Sequence, residues 1–540
     1  MTSSDRNRWI GLACLALGLA MIIVDTSIVN VAVPRIITDL GITPSAAEWV
    51  NSSYALVFAA ALITLSRIGD IVGQRRLYLI GTAVFASASV LAALAPSGEL
   101  LIGARLLQGL GGAAMAPSTQ AIVNATFRGK DRAIAFAIYG SVIGGMAALG
   151  PVIGGWLTTN ASWRLAFGVN LPIATVAILG TLATVAETRR EAMRRGFDVL
   201  GVLFITIGLG GIVFGLIEGY SYGWWAPSTS FAADPAWAWW PTDAISAVPV
   251  AFLIGAISLL AFLLYERARL RAGRPVLIDF TLFAIPTFRY GNIAGTIVSL
   301  GEFGILFALP LFLAAVQQYS AFETGLCFLP LALGAFFAAP MAPALTKRVG
   351  ARRVVTLGMG LEALGIAIIA VLISPSATGL LLGVPLLIYG FGVGFATAQL
   401  ANVSLGDVDI PRAGIASGTN STTRQIGSAL GIAIIGTTLF TLIGEQSRAQ
   451  LEALPELAAA PPQVVDGIVE AMKASAGQAL PALGQDPMLA ANPELLAKIT
   501  AALAEGFATA ARGAGIVALL FVLAGLLASL ALPKERAAER

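Results

Sequence analysis

The sequence predicts an all-α integral membrane protein of about fourteen spanning helices, arranged as two pseudosymmetric six-helix bundles with two further helices inserted. Composition is the first support. Of 540 residues, 57% are hydrophobic and only 12% charged, with a mean hydropathy of +0.84, whereas soluble domains carry about 25% charged residues. The second support is a series of apolar runs, each long enough to cross the hydrocarbon core of a bilayer. The third is the crowding of lysine and arginine into the connections on one side.

Runs of about 20 apolar residues match a hydrocarbon core of about 30 Å. They fall near 9–33, 48–66, 77–96, 100–122, 132–157, 164–186, 198–218, 246–265, 288–316, 322–343, 354–374, 379–403, 414–442 and 511–532. The first run far exceeds a signal peptide's apolar region and is expected to be kept. With both termini on one side, most of the 33 basic residues collect there, which predicts cytoplasmic termini and a multi-pass protein of the cell's inner (plasma) membrane. Trp9, Trp49, Trp156, Trp163, Trp224, Trp225, Trp237, Trp239 and Trp240 fall at span ends or in one outer loop and are expected to mark the interfaces. There is no histidine, so carboxylates must do any proton work. Cys14 and Cys327 lie in separate apolar runs and read as small packing residues.

An internal repeat underlies the two bundles. Gly73-Gln74-Arg75-Arg76 after the second span is echoed by Gly350-Ala351-Arg352-Arg353 after the tenth. The glycine-rich fifth span is echoed by Gly427-Ser428-Ala429-Leu430-Gly431 in the thirteenth. The expected division is 1–190 for the first bundle, 191–275 for the inserted pair with a Trp-rich outer loop, and 276–540 for the second bundle. Within the last, residues 443–510 form an extracytoplasmic insert in which Val464, Val465, Ile468, Val469 and Met472 follow helical spacing.

Several stretches carry more than apolar packing requires. The first span contains Val24-Asp25-Thr26-Ser27-Ile28-Val29-Asn30, with a carboxylate at a depth where one costs about 2.5–3.5 kcal/mol on insertion scales. Arg105 and Gln108, three apart in the fourth span, share a helix face. The fifth span ends with Gly150-Pro151-Val152-Ile153-Gly154-Gly155, where small residues allow close helix contact and proline bends the backbone. The second-to-third loop, Ser66-Arg67-Ile68-Gly69-Asp70-Ile71-Val72-Gly73-Gln74-Arg75-Arg76, combines turn-forming glycines with one acid and three arginines.

These stretches resemble motifs of the major facilitator superfamily, and the inserted pair resembles its fourteen-helix drug:proton antiporter branch rather than the twelve-helix branch. The loop is similar to Gly-x-Leu-x-Asp-Arg-x-Gly-Arg-Arg, with Ser66 and Ile71 departing from it; the first span is similar to Leu-Asp-x-Thr-Ile-Val-Asn-Val-Ala-Leu-Pro. Trp163-Arg164-Leu165-Ala166-Phe167-Gly168-Val169-Asn170-Leu171-Pro172 resembles a further family marker, read here as interface anchoring and helix geometry. The resemblance implies a major facilitator fold and a proton-coupled antiporter that exports amphiphilic or cationic organic compounds. It implies proton coupling through Asp25 and Arg105 and a substrate cavity that includes Asp25, Asn30 and Gln108; Glu302, outside any family-wide pattern, lies in the helix that pairs by pseudosymmetry with the first and is expected to face the same cavity as a substrate-cation contact or second proton-coupling site. Asp70, Arg75 and Arg76 are the expected conformational latch, and Gly150, Pro151, Gly154 and Gly155 the antiporter motif. Glu362 in the eleventh span is expected at the periphery, and Arg424 and Gln425 are expected to satisfy each other or nearby carbonyls.

Energetics make the number of acids informative. One inward proton supplies roughly 2.3 kcal/mol from a potential of about 100 mV and roughly 1.4 kcal/mol from one pH unit. Exchange for one monovalent cation cancels the electrical part, so cation export gains from a second titratable group such as Glu302. The expected partners are protons, small amphiphilic organic molecules and lipid, with neither nucleic acid nor any cofactor or metal, and the chain is expected to be monomeric. No Gly-x-x-x-x-Gly-Lys-Ser/Thr loop is present, which argues against an ATP-driven pump. A dedicated exporter of a single metabolite, lipid or antibiotic is the main rival. A non-transporting membrane sensor is a remote one, and no nucleophile with a base partner suggests an enzyme.

Overall fold

A computed structural model describes residues 3–533, apart from 43, 188–197, 229–239, 241–244, 275, 410–411, 458–460, 475–476, 478, 481–482, 485–488 and 490; some side chains within described helices also lie outside it. Trp237 and Trp239 are among the residues outside this description.

In hydrocarbon every backbone N–H and C=O needs an internal partner, so the apolar runs become unbroken helices. The first bundle contains α1 (Ser3–Leu40), α2 (Pro44–Val72), α3 (Gln74–Ala93), α4 (Gly98–Thr126), α5 (Gly129–Asn160), α6 (Arg164–Gly168) and α7 (Asn170–Thr184). The inserted pair is α8 (Val199–Tyr222) and α9 (Ala247–Arg271). The second bundle contains α10 (Pro286–Ala315), α11 (Ala321–Val349), α12 (Ala351–Leu372), α13 (Gly379–Ser404), α14 (Ala413–Glu452), α15 (Pro462–Ala474) and α16 (Pro493–Ser529). Among the described residues, 11 helical spans are long and apolar enough to cross a membrane, α6 and α7 counting as one. A twelfth is α11, bent by 50° between Phe322–Ala338 and Pro340–Val349. Pro340 explains the bend, since its ring displaces a backbone hydrogen bond. The polar-lined α4 and the motif-bearing α5, of 29 and 32 residues, are long enough to span as well. Each predicted span therefore corresponds to a long helical segment.

The two bundles repeat one packing scheme. Pairings of α1 with α5, α2 with α4 and α3 with α4 recur as α10 with α14, α11 with α13 and α12 with α13. The motif echoes take the same place in each. Gly73 and Gly350 precede α3 and α12 with φ of 109° and 85°, a left-handed region that favours glycine. Gly150 leaves room for the Val24–Ser27 turn of α1, just as Gly427 and Gly431 leave room for the Thr296 and Leu300 carbonyls of α10. The bundles meet through α5 against α11 and α13, and through α2 against α14; of the inserted pair, α8 lies along α2 and α14 and α9 packs on α8.

Two expectations change at the edges. Trp163 is buried, its indole donating to Asp39 at 2.9 Å and Arg164 stacked on its ring, so it ties α6 to α1 rather than facing an interface. Residues 443–510 are largely helical: α14 continues to Glu452 and α16 begins at Pro493. Between them α15 presents Val465, Val469 and Met472 to the second bundle's core, while Val464 is exposed.

Candidate functional site

The first bundle holds a buried polar centre where α1, α4 and α7 meet. Glycines on α4 set its geometry. Gly109 and Gly112 admit Tyr54, Val57 and Phe58 of α2, and Gly111 admits Phe85 of α3, which brings polar groups of those helices to Arg105 and Gln108. Asp25 and Arg105 are both fully buried. Arg105 Nη1 donates to Asp25 Oδ2 at 2.5 Å and to Gln108 Oε1 at 2.9 Å; its Nε donates to the Val50 carbonyl at 2.9 Å. The guanidinium also lies 4.2 Å from the centroid of the Tyr54 ring. Asp25 Oδ1 accepts from Asn170 Nδ2 at 2.6 Å and Gln108 Nε2 at 3.1 Å, and both amides also donate to Ser89 Oγ.

Asp25, Arg105 and Gln108 are thus brought together, whereas the side chain of Asn30 lies outside the described residues. Asn170, Ser89 and Tyr54 were not expected. Asn170 lies in the motif Trp163 to Pro172, which the sequence reads as interface anchoring and helix geometry. Ser89 and Tyr54 carried no signal, since a lone serine or tyrosine in an apolar run also reads as helix packing.

The expected latch separates into two parts. Asp70 is buried at the end of α2 and lies directly against Gly414, in the first turn of α14 in the other bundle, where any side chain would overlap its carboxylate. A carboxylate is favoured beside the positive end of a helix dipole. Gln74 Nε2 donates to Asp70 Oδ1 at 2.9 Å, and Ser66 Oγ donates to the Gly414 carbonyl at 2.7 Å. Arg75 and Arg76 instead serve their own bundle: Arg75 Nη2 donates to the Leu182 carbonyl at 2.7 Å, and Arg76 stands 3.8 Å from Glu187. The nearby base for Asp70 is Arg67, which also lies in the field of Glu266 on α9. Further links between bundles run from Arg132 Nε to Asn402 Oδ1 at 3.2 Å and from Ser421 Oγ to Gln120 Oε1 at 3.1 Å. Ahead of α14, Asp409 and Asp279 bind Arg412 and raise its pKa further.

The antiporter-motif segment lies between bundles. On one side Gly150 and Gly154 press against Ser27 and Ile28, next to Asp25; on the other, Gly325 of α11 packs on the Val152 backbone. Gly155 is buried, and the side chain of Pro151 lies outside the described residues.

The second bundle has its own polar centre. Glu302 on α10 is buried, and Glu362 is fully buried against Gly392 of α13, which corrects its expected peripheral place. The close α12–α13 contact, permitted by Gly358, Gly365 and Gly392, carries it inward. Tyr389 donates to the Glu302 carbonyl at 3.4 Å. Arg424 Nε donates to Ser299 Oγ at 3.3 Å, one turn from Glu302, rather than pairing with Gln425.

The sequence profile described as Major Facilitator Superfamily matches residues 15–198 and 191–432. A protein named as a probable actinorhodin transporter of Streptomyces coelicolor is 32% identical over 465 residues, covering 84% of this chain and 77% of the relative. The multidrug resistance protein Stp of Mycobacterium tuberculosis is 32% identical over 454 residues, covering 84% and 80%. The crystal structure of the human organic anion transporter MFSD10 is similar in fold, with a TM-score of 0.57 at 13% identity over 97% of this chain and 100% of that one.

Proposed function

This chain belongs to the Major Facilitator Superfamily, as a multi-pass secondary transporter related to drug and antibiotic exporters, and on that premise we propose that it is a proton-coupled antiporter exporting amphiphilic or cationic organic compounds by alternating access. The observation that carries this reading is the buried Asp25–Arg105 pair, closed by Gln108 and Asn170. A buried acid whose counter-charge sits on another helix can lose its partner when helices shift, and then takes up a proton instead. Gly150 and Gly154, pressed on α1 beside Asp25, would transmit rocking of the bundles to this pair. Asp70 against Gly414 would hold the end bearing both termini closed, with the termini cytoplasmic, the chain monomeric and the protein in the cell membrane.

The test uses inside-out vesicles with an acidic lumen and a fluorescent organic cation, comparing the intact protein with Asp25→Asn at equal folded amounts. Accumulation should fall more than about tenfold, a loss of about 1.4 kcal/mol or more in coupling. Equal accumulation would overturn Asp25 as the proton carrier. A dedicated exporter of one metabolite is the second reading, favoured by the relative named for a single compound, actinorhodin; competition by one compound class alone would select it.

A further inference from the structure

The second bundle buries two carboxyl groups that coupling through Asp25 leaves without a task. Glu302 is 3% exposed and Glu362 0%. Neither oxygen of Glu362, nor Oε2 of Glu302, receives a hydrogen bond from a described protein group. The two acids lie within electrostatic reach of each other and of Arg424.

The surroundings of Glu362 can be taken helix by helix. From α13 comes Tyr389, from α10 Glu302 and from α14 Arg424. On α16 the nearest charge, Arg512, is bound to the Ile373 carbonyl beyond the far end of α12. The charges of α11 sit in its first and last turns, at Glu323, Lys347 and Arg348. One arginine therefore faces two acids. Like charges at close range in a low dielectric do not both persist. Arg424, hydrogen-bonded one turn from Glu302, supplies a single positive charge to both acids and cannot neutralise the two at once.

We propose that Glu302 and Glu362 form a second proton-binding site, in which Glu362 carries an exchangeable proton and Glu302 stays paired with the field of Arg424. In each cycle the Glu362 carboxyl O–H would break on one side of the membrane and re-form from water on the other, with no electron transferred. The inference rests on the antiport reading and extends it: with Asp25, it makes two protons available per monovalent cation, so that transport moves net charge.

The experiment measures ethidium uptake into inside-out vesicles that hold an interior-positive potential of about 100 mV and no pH gradient. For two protons per cation the potential alone raises the dye gradient about fiftyfold. Glu362→Gln should abolish this increment while uptake driven by an acidic lumen persists. An unchanged voltage response in Glu362→Gln, or none in the intact protein, would overturn the proposal.

A second measurement covers a variant that fails to fold. A hydrophobic carbodiimide, which modifies protonated buried carboxyl groups, should label the intact chain at Glu362, and labelling should fall as pH rises. Absence of label there at every pH would overturn the site. If the intact protein exchanges no protons for any cation, the antiport reading fails, and labelling alone decides on Glu362.

Discussion

In the first bundle one carboxylate meets one guanidinium and two side-chain amides, all fully buried; in the second, two buried acids share the field of one partly exposed arginine. The helices around both centres follow the same packing scheme. What differs is how the cost of burying charge is met. Asp25 is compensated by hydrogen bonds from Arg105 and Gln108 of α4 and from Asn170 of α7. Glu362 lacks such contacts among the described residues and can be neutral only by holding a proton. One fold thus supports a locked ion pair and an open acid site, and the difference lies in a few side chains rather than in helix placement.

The largest expected effect breaks the locked side. Arg105→Ala leaves Asp25 without its counter-charge, removes the bond to the Val50 carbonyl and opens a cavity beneath Tyr54. Removing one member of a buried pair costs about 3–5 kcal/mol. Thermal unfolding in detergent should show this as a large drop in midpoint or a loss of folded protein, and Arg105→Lys should rescue it only in part, since lysine lacks the planar fork. A loss below about 1 kcal/mol would mean the centre is not a stabilising unit. Next in size is Asn170→Ala, which removes the 2.6 Å bond to Asp25 and one donor to Ser89. It should cost about 1–3 kcal/mol and slow proton-driven uptake while the fold is kept. Wild-type stability and transport in that variant would reduce Asn170 to helix geometry.

Most of this architecture was legible in the sequence, because helix number follows from backbone satisfaction in lipid. The pairing of Asp25 with Arg105 was legible only through the resemblance, which assigns both residues to proton coupling. Register between helices was not. Whether Glu362 faces lipid or the interior depends on glycines at 358, 365 and 392 that bring α12 onto α13, and the hydropathy of α12 alone cannot reveal its neighbour. The latch was legible only in part for a related reason: Asp70 and Arg75 are five residues apart in sequence, but across the turn at Gly73 Asp70 meets Gly414 of the second bundle while Arg75 binds the Leu182 carbonyl of its own.

The smallest effect on stability tests the open side and sharpens the contrast most. Arg424 is partly exposed and makes one long bond, 3.3 Å to Ser299. Arg424→Ala should therefore cost less than about 1 kcal/mol, in the range of weakly held charges. Glu302, deprived of the cation, can take a proton instead of remaining as a stranded charge. Asp25 has no such easy escape after loss of Arg105, because protonation would fill neither the cavity nor the bonds to Val50 and Gln108. Function should move the other way. With both acids protonated at rest, release of the second proton is hindered, and potential-driven cation uptake should fall by more than about tenfold, or about 1.4 kcal/mol. Thermal unfolding and voltage-driven uptake measured on the same preparation separate the two effects. If Arg424→Ala destabilises the protein as severely as Arg105→Ala, both bundles hold locked pairs and the contrast between them is lost.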